Sequence, residues 1–390
     1  MSQIVPIQTK PIILALSSLY ALRMLGLFLI YPVLAIYAVH LPGATPFLLG
    51  VAMGIYGLSQ AILQIPFGML SDRFGRKPLI IIGLLLFASG SIVAALSQDI
   101  YGLIIGRILQ GTGAISAVIT ALLADLLVPE QRAKAMAIVG LTIGVAFGLS
   151  LIIAPGLGAA IGLSGLFWVI TVLVLLSLVV LVFFVPEPAQ TQQSLPKGQL
   201  SLVFYNRQLW LLNFSVFCLH TLLTTLFLWL PARLEALTQH WYQQSLIYLV
   251  LLVGSYAVMM PILIRAEKTY KQKLVVQGSI VMFALALCYF AFMPNTLWHI
   301  LLGLFIFLIP FNLLEATLPA WVSRLAPQQT RGAAMGLYAT MQFLGIFTGG
   351  ALTGWLLNSI SFNNIFLSFS VLMIIWFIIV RGLKQLTKQE

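Results

Sequence analysis

"GMLSDRFGRK", residues 68–77, lies between two long apolar runs and holds one acid, three bases and two glycines. The whole chain has only nine acids, so this concentration of charge asks for a reason. The flanking runs supply the setting. Apolar residues make up 61% of the sequence and charged residues 7%, where a soluble domain carries about 25% charged residues. A membrane-crossing helix takes about 20 apolar residues. Twelve stretches qualify, near 12–38, 47–70, 78–97, 100–124, 135–156, 164–185, 209–230, 244–264, 274–293, 297–321, 333–357 and 362–381. Most are too long and unbroken for the alternating strands of a barrel. The fold class expected is all-α and membrane-integral: a bundle of twelve transmembrane helices, called spans 1–12 below.

The net charge of +11 is not that of a nucleic-acid binder, because the bases sort by side. With the amino terminus in the cytoplasm, Lys10, Arg73, Arg76, Lys77, Arg132, Lys134, Lys197, Arg207, Arg265, Lys268, Lys271, Lys273, Arg324, Arg331, Arg381, Lys384 and Lys388 all fall on the cytoplasmic side. Only Arg233 falls outside, which is the positive-inside pattern. Both termini are therefore expected in the cytoplasm of a cell (inner or plasma) membrane. The first apolar segment is too long for a signal peptide and no small-residue cleavage site follows it, so it is expected to stay as a helix. Cys218 and Cys288 lie inside spans, away from disulfide or zinc chemistry. No Walker motif, zinc ligand set or nucleophile–base cluster is present, so neither an enzyme nor a metal or cofactor is expected. The energy source left is an ion gradient.

The longest polar stretch between spans, "PEPAQTQQSLPKGQL" at 186–200, reads as a flexible connector. It divides the chain into a first six-helix unit (1–185), a linker (186–208) and a second unit (209–390). The start of span 5, "RAKAMAIVG" from 132, parallels the start of span 11, "RGAAMGLYA" from 331, with Ala135 and Met136 matching Ala334 and Met335. Parallel repeats with a site at their interface mark one large class of secondary transporters.

Four ionisable side chains sit well inside spans: Arg23 in span 1, Arg107 in span 4, His220 in span 7 and Glu315 in span 10. A charge at mid-bilayer costs about 2.5–3.5 kcal/mol on insertion scales, so such groups mark cavities or partners. Glu315 is the only acid deep in a span and, with His220, a candidate proton carrier. Arg23 and Arg107 do not deprotonate and would instead tune a carboxyl or bind anionic groups. The structural alternatives are a fixed Glu315–arginine salt bridge, a neutral His220 bonded to a carbonyl, and an Arg107 that merely pins span 4. Polar groups at helical spacing form a second set: Tyr56, Gln60 and Gln64 on span 2, and Tyr338 and Gln342 on span 11. Asn213 shares a stripe with His220, and Asn312 lies one turn before Glu315. A mainly apolar cavity with these few polar groups suits an amphiphilic small molecule, while interhelical hydrogen bonding is the plainer reading for each glutamine.

The opening stretch resembles the loop 2–3 signature of the major facilitator superfamily through Gly68, Leu70, Asp72, Arg73, Gly75, Arg76 and Lys77. "LIIGRILQGTGA" from 103 is similar to its span 4 motif, with Arg107, Gln110, Gly111 and Gly113 in place. "ALRMLG", "GIYGLSQ", "PFNLLEATLP" and "YATMQFLG" resemble the YajR-type drug/proton antiporters within it. Proteins of that type can carry a further domain after span 12; none is expected here, since the sequence ends at Glu390. The antiporter motif of span 5 is degraded to "APGLGA" at 154–159. The resemblance implies two pseudo-symmetric six-helix bundles, with spans 1, 4, 7 and 10 lining a central cavity. It also implies that Gly68, Asp72, Arg73, Gly75, Arg76, Lys77 and Asp125 form a charge latch holding the halves in the outward-open state. The expected function is secondary active transport: proton-coupled antiport exporting a small amphiphilic organic molecule. The alternative is a symporter importing a metabolite, sugar or siderophore-like compound, and a non-transporting sensor ranks third. The expected partners are the small-molecule substrate, protons (coupled through Glu315, His220, Asp125, Arg107 and Arg23) and membrane lipids, with no nucleic acid and a monomeric chain.

Overall fold

The computed structural model describes residues 9–127, 129–186, 203–327 and 330–385. Residues 187–202 of the expected linker, with Lys197, lie outside these, as do Lys388 and the side chains of Lys10, Arg132 and Lys134. Span 1 is Thr9–Phe28, followed by a short helix Leu34–Ala38. Span 2 is Pro46–Phe74 and span 3 is Arg76–Leu96. Span 4 comes in two pieces, Ile100–Thr112 and Ser116–Leu126. Spans 5 and 6 are the two arms of Pro129–Phe184. The second half holds span 7 (Arg207–Leu237), span 8 (Trp241–Lys268), span 9 (Gln272–Phe292), span 10 (Leu297–Leu325), span 11 (Arg331–Leu356) and span 12 (Phe362–Val380). Among the described residues, ten helices are long and apolar enough to cross a membrane. One of these is the bent pair of spans 5 and 6, and the glycine-rich, more polar span 11 completes the expected twelve.

Local chemistry sets the boundaries. Thr45 caps span 2 by accepting from Leu48 N (3.2 Å), with Pro46 in its first turn. Asp99 caps span 4 by accepting from Gly102 N (2.7 Å), which accounts for one of the few acids. Asn206 caps span 7 through Gln208 N (2.9 Å) and Leu209 N (3.3 Å). Two expectations need correction. Span 4 is not one helix over 100–124, because residues 113–115 leave helical geometry and free the Gly113 carbonyl for a side chain. Spans 5 and 6 are not separated by a loop; they bend sharply at Gly162, whose φ of 64° and ψ of −171° suit essentially glycine alone.

The connectors between spans 2 and 3, 4 and 5, 8 and 9, and 10 and 11 lie on one face, called the connector face. At the opposite end the halves meet along spans 2 and 11. A Cβ on Gly50 or Gly350 would strike the other's backbone, and Gly54 and Gly57 press in the same way on Phe347 and Phe343. Small residues permit this close approach. Span 5 adds Gly156 against the Trp241 ring, so the degraded motif still packs one half on the other. Gly68 and Gly336 continue the same two faces toward the connector face, about a whole number of turns further on, yet a Cβ at either meets nothing within 4 Å. The two halves therefore close at the opposite face and part at the connector face. Span 7 lies inside the bundle, with 89% of its apolar window buried, whereas span 8 at 28% faces outward.

Candidate functional site between the two halves

The break in span 4 positions the first wall of the site. Arg23, fully buried, donates through Nη1 to Ser116 Oγ (3.0 Å) and through Nη2 to Gly113 O (3.3 Å) and Tyr56 Oη (3.2 Å). Its guanidinium also stands 5.8 Å from the Phe87 ring centroid. The Gln60 amide fits this network with its oxygen on Arg23 Nη2 (3.1 Å) and its nitrogen donating to Gly111 O (3.1 Å) and Tyr56 Oη (3.2 Å). Arg107 donates to the Ala52 and Met53 carbonyls (3.3 and 3.4 Å) and to Gln110 Oε1 (2.8 Å), and lies 5.2 Å from the Tyr56 ring centroid. It thus ties span 4 to span 2. No carboxylate among the described residues lies within 4 Å of either guanidinium.

The second wall comes from spans 7, 10 and 11. His220 Nδ1 donates to Val216 O (3.1 Å), which makes the imidazole the Nδ1–H tautomer when neutral. Its Nε2 then accepts from Gln342 Nε2 (2.8 Å). Glu315 Oε2 stands 3.7 Å from the same Nε2 and has no hydrogen-bond partner. The fixed Glu315–arginine salt bridge is therefore not what the fold builds. Aromatic contacts join the walls: Tyr56 with Phe343 at 6.0 Å, and Phe147 with Phe311 at 5.9 Å.

Among the expected substrate residues, Tyr56, Gln60 and Gln64 stand on the first wall and Gln342 and Tyr338 on the second. Asn213 is buried with an unpartnered Oδ1. Asn312 does not join them, because it donates to Ser255 Oγ on span 8 (2.9 Å). Sequence reading missed Ser116 as an Arg23 partner; its position three residues beyond Gly113 was the available signal. It also missed the ring contacts between halves, which no sequence spacing carries.

The charges of the 68–77 stretch form a cluster of their own. Arg76 pairs with Asp72 and donates through Nε to Asp125 Oδ2 (2.9 Å) and through Nη1 to Ser71 Oγ (2.6 Å). Lys77 Nζ donates to Val185 O (2.8 Å), while Arg73 lies over the Phe74 ring at 5.4 Å, apart from the ion pairs. These contacts staple span 2, span 3 and span 4 together within the first half. No ion pair among the described residues crosses between the halves here, where they are parted at the connector face; the expected latch belongs to the outward-open state.

Two six-helix halves closed at one end and parted at the other, with charged side chains between them, define a membrane transporter of the alternating-access type. The Major Facilitator Superfamily profile matches residues 16–347 and 243–389. The inner membrane transport protein YajR of Escherichia coli (strain K12) is 38% identical over 378 residues, covering 95% of this chain and 82% of the relative. Multidrug resistance protein 2 of Bacillus subtilis (strain 168) is 27% identical over 368 residues, covering 90% of each. The crystal structure of a D-xylose-proton symporter superposes with a TM-score of 0.75 at 17% identity, covering 98% of this chain and 99% of that one. The chain belongs to the major facilitator superfamily. It is an integral membrane transporter, not an enzyme.

Proposed function

We propose that this transporter exports a small amphiphilic organic molecule in exchange for protons across the inner membrane, with the connector face and both termini in the cytoplasm. The orientation is supported by the concentration of bases on the connector face. In that frame the structure is the inward-facing state. The observation that carries the reading is the pairing of Glu315, the one acid deep in a span, with His220 at the place where the halves part. A proton reaching this pair sits on Glu315 or on His220 Nε2, with the Gln342 amide turning its oxygen to accept in the second case. Substrate binding between the Tyr56–Gln60–Gln64 and Tyr338–Gln342 walls displaces that proton to the cytoplasm. After reorientation, reprotonation from outside releases the substrate. The names of two relatives, an inner membrane transport protein and a multidrug resistance protein, accord with export. The cluster around Arg76 keeps the connector end of the first half rigid while the halves rock.

The test is Glu315→Gln in proteoliposomes. Transport driven by an imposed pH gradient should fall to background, while substrate exchange without a gradient survives, since glutamine keeps the shape of a protonated glutamate. Full gradient-driven transport by the variant would overturn the role of Glu315.

A further inference from the structure

Two guanidinium groups in the first half bracket a single tyrosine. Arg23 meets the Tyr56 hydroxyl at 3.2 Å and Arg107 covers the Tyr56 ring at 5.2 Å. Both are buried within the span region, and every partner they have is neutral. The one deep acid stands on the other half, 3.7 Å from His220 Nε2. Two buried positive charges one aromatic ring apart repel each other, and lodging them without a counter-ion is costly. For pinning spans 1, 2 and 4 together, neutral amide and hydroxyl side chains would serve without that cost.

Buried polar atoms without a partner stand on both sides of this region: Arg23 Nε on the first wall, and Glu315 Oε2, Asn213 Oδ1 and Tyr338 Oη on the second half. Buried polar atoms are normally paired, so such a set marks where an absent group belongs. Aromatic rings of the second half stand beside these groups: Phe343 lies 6.0 Å from the Tyr56 ring and Phe311 6.3 Å from the His220 ring.

We propose that the transported molecule is an organic anion: an aromatic or aliphatic body bearing a carboxylate or comparable acidic group, held with that group toward Arg23 and Gln64 and a hydrogen-bond donor toward Glu315 and Asn213. This rests on the transport reading above and names its substrate class. Binding of the anion supplies the negative charge that Arg23 and Arg107 lack.

The experiment is equilibrium dialysis of the purified full chain in a non-ionic detergent, which brings neither phospholipid headgroups nor a gradient. The probes are naphthylacetate, naphthylacetamide and naphthylmethylamine, one body in three charge states. The anion should bind about tenfold or more tighter than the amide, as a hydrogen bond to a charged group is worth, and the amine should bind weakest. Arg23→Gln should bring the anion-to-amide ratio close to one, and Arg23→Lys should retain most of it. Gln64→Leu removes a buried amide of the first wall and keeps the test usable if Arg23→Gln does not fold; it should weaken the anion several-fold and leave the amide alone. Equal or tighter binding of the amide or amine by the unaltered protein, binding of none of the three, or a ratio untouched by both Arg23→Gln and Gln64→Leu would overturn the proposal. The readout is independent of proton coupling. A protein that fails the Glu315→Gln transport test can still pass this one, and the reverse.

Discussion

The connector between spans 2 and 3 and its counterpart between spans 8 and 9 occupy matching places in the two halves, yet they solve one problem with opposite charges. In the first half a base in the connector, Arg76, reaches an acid at the end of span 4, Asp125, at 2.9 Å. In the second half an acid next to the connector, Glu267, reaches a base at the end of span 10, Arg324, at 2.7 Å. The duplicated fold has kept the bridge and exchanged its ends. The surroundings differ as well. Arg76 is 17% exposed and serves Asp72, Asp125 and Ser71 together, whereas Arg324 is 40% exposed and serves one carboxylate. Charge pairs gain in strength with burial and with several partners, and exposed single pairs contribute little. The first connector is thus a fastening and the second a surface contact.

That contrast gives the largest expected effect. Arg76→Gln leaves Asp72 and Asp125 facing one another without the cation between them, and should cost about 2 kcal/mol of stability. Arg324→Gln should cost under about 1 kcal/mol. Denaturant titration of the two purified variants, followed by tryptophan fluorescence, compares them directly. Equal losses would erase the distinction between fastening and contact.

The sequence disclosed the fold at the level of apolar runs and the site at the level of residue types. Twelve spans, two halves and the four deep ionisable groups were all legible, since length and burial cost act residue by residue. What was hidden depends on tertiary contact. Span 4 breaks because Gly113 presses against span 3 and gives its carbonyl to Arg23, a partner in another helix. Asn312 was grouped with Glu315 at one-turn spacing, but three residues leave them about 60° apart around the helix. That is enough to turn the amide onto Ser255. The Glu267–Arg324 bridge was not legible because its charges stand in the reverse order to those of the first half. His220, Gln342 and Glu315 were each flagged, but nothing in their spacing announces that they share one proton-accepting nitrogen.

The turns of the two connectors sharpen the comparison further. Gly75 holds φ 94° and ψ 152°, a region that side chains with a Cβ scarcely enter. Gly75→Ala should therefore cost about 1–3 kcal/mol. It should also loosen the Arg76 cluster, since Arg76 follows directly in the chain. Retention of full stability would mean that the connector has a second, equally good path, and that its rigidity comes from the ion pairs alone.

The smallest effect is expected at the corresponding turn of the second half, and its sign is reversed. Tyr270 has φ 54°, the one positive φ outside glycine among the described residues. Its side chain is at the margin of exposure, 36%, so little packing is lost on removing it. A left-handed residue with a Cβ costs about 1–2 kcal/mol, and glycine removes that cost. Against the gain stands the extra freedom of glycine in the unfolded chain, about 0.5–1 kcal/mol. The net effect of Tyr270→Gly should be a stabilisation of about 0.5 kcal/mol, the difference between these terms. The same denaturant titration resolves it if Gly75→Ala is measured alongside. A clear loss of stability on Tyr270→Gly would show that the tyrosine ring, half out of the protein at the connector face, has a partner its exposure does not reveal, and the second connector would then be held by more than one surface ion pair.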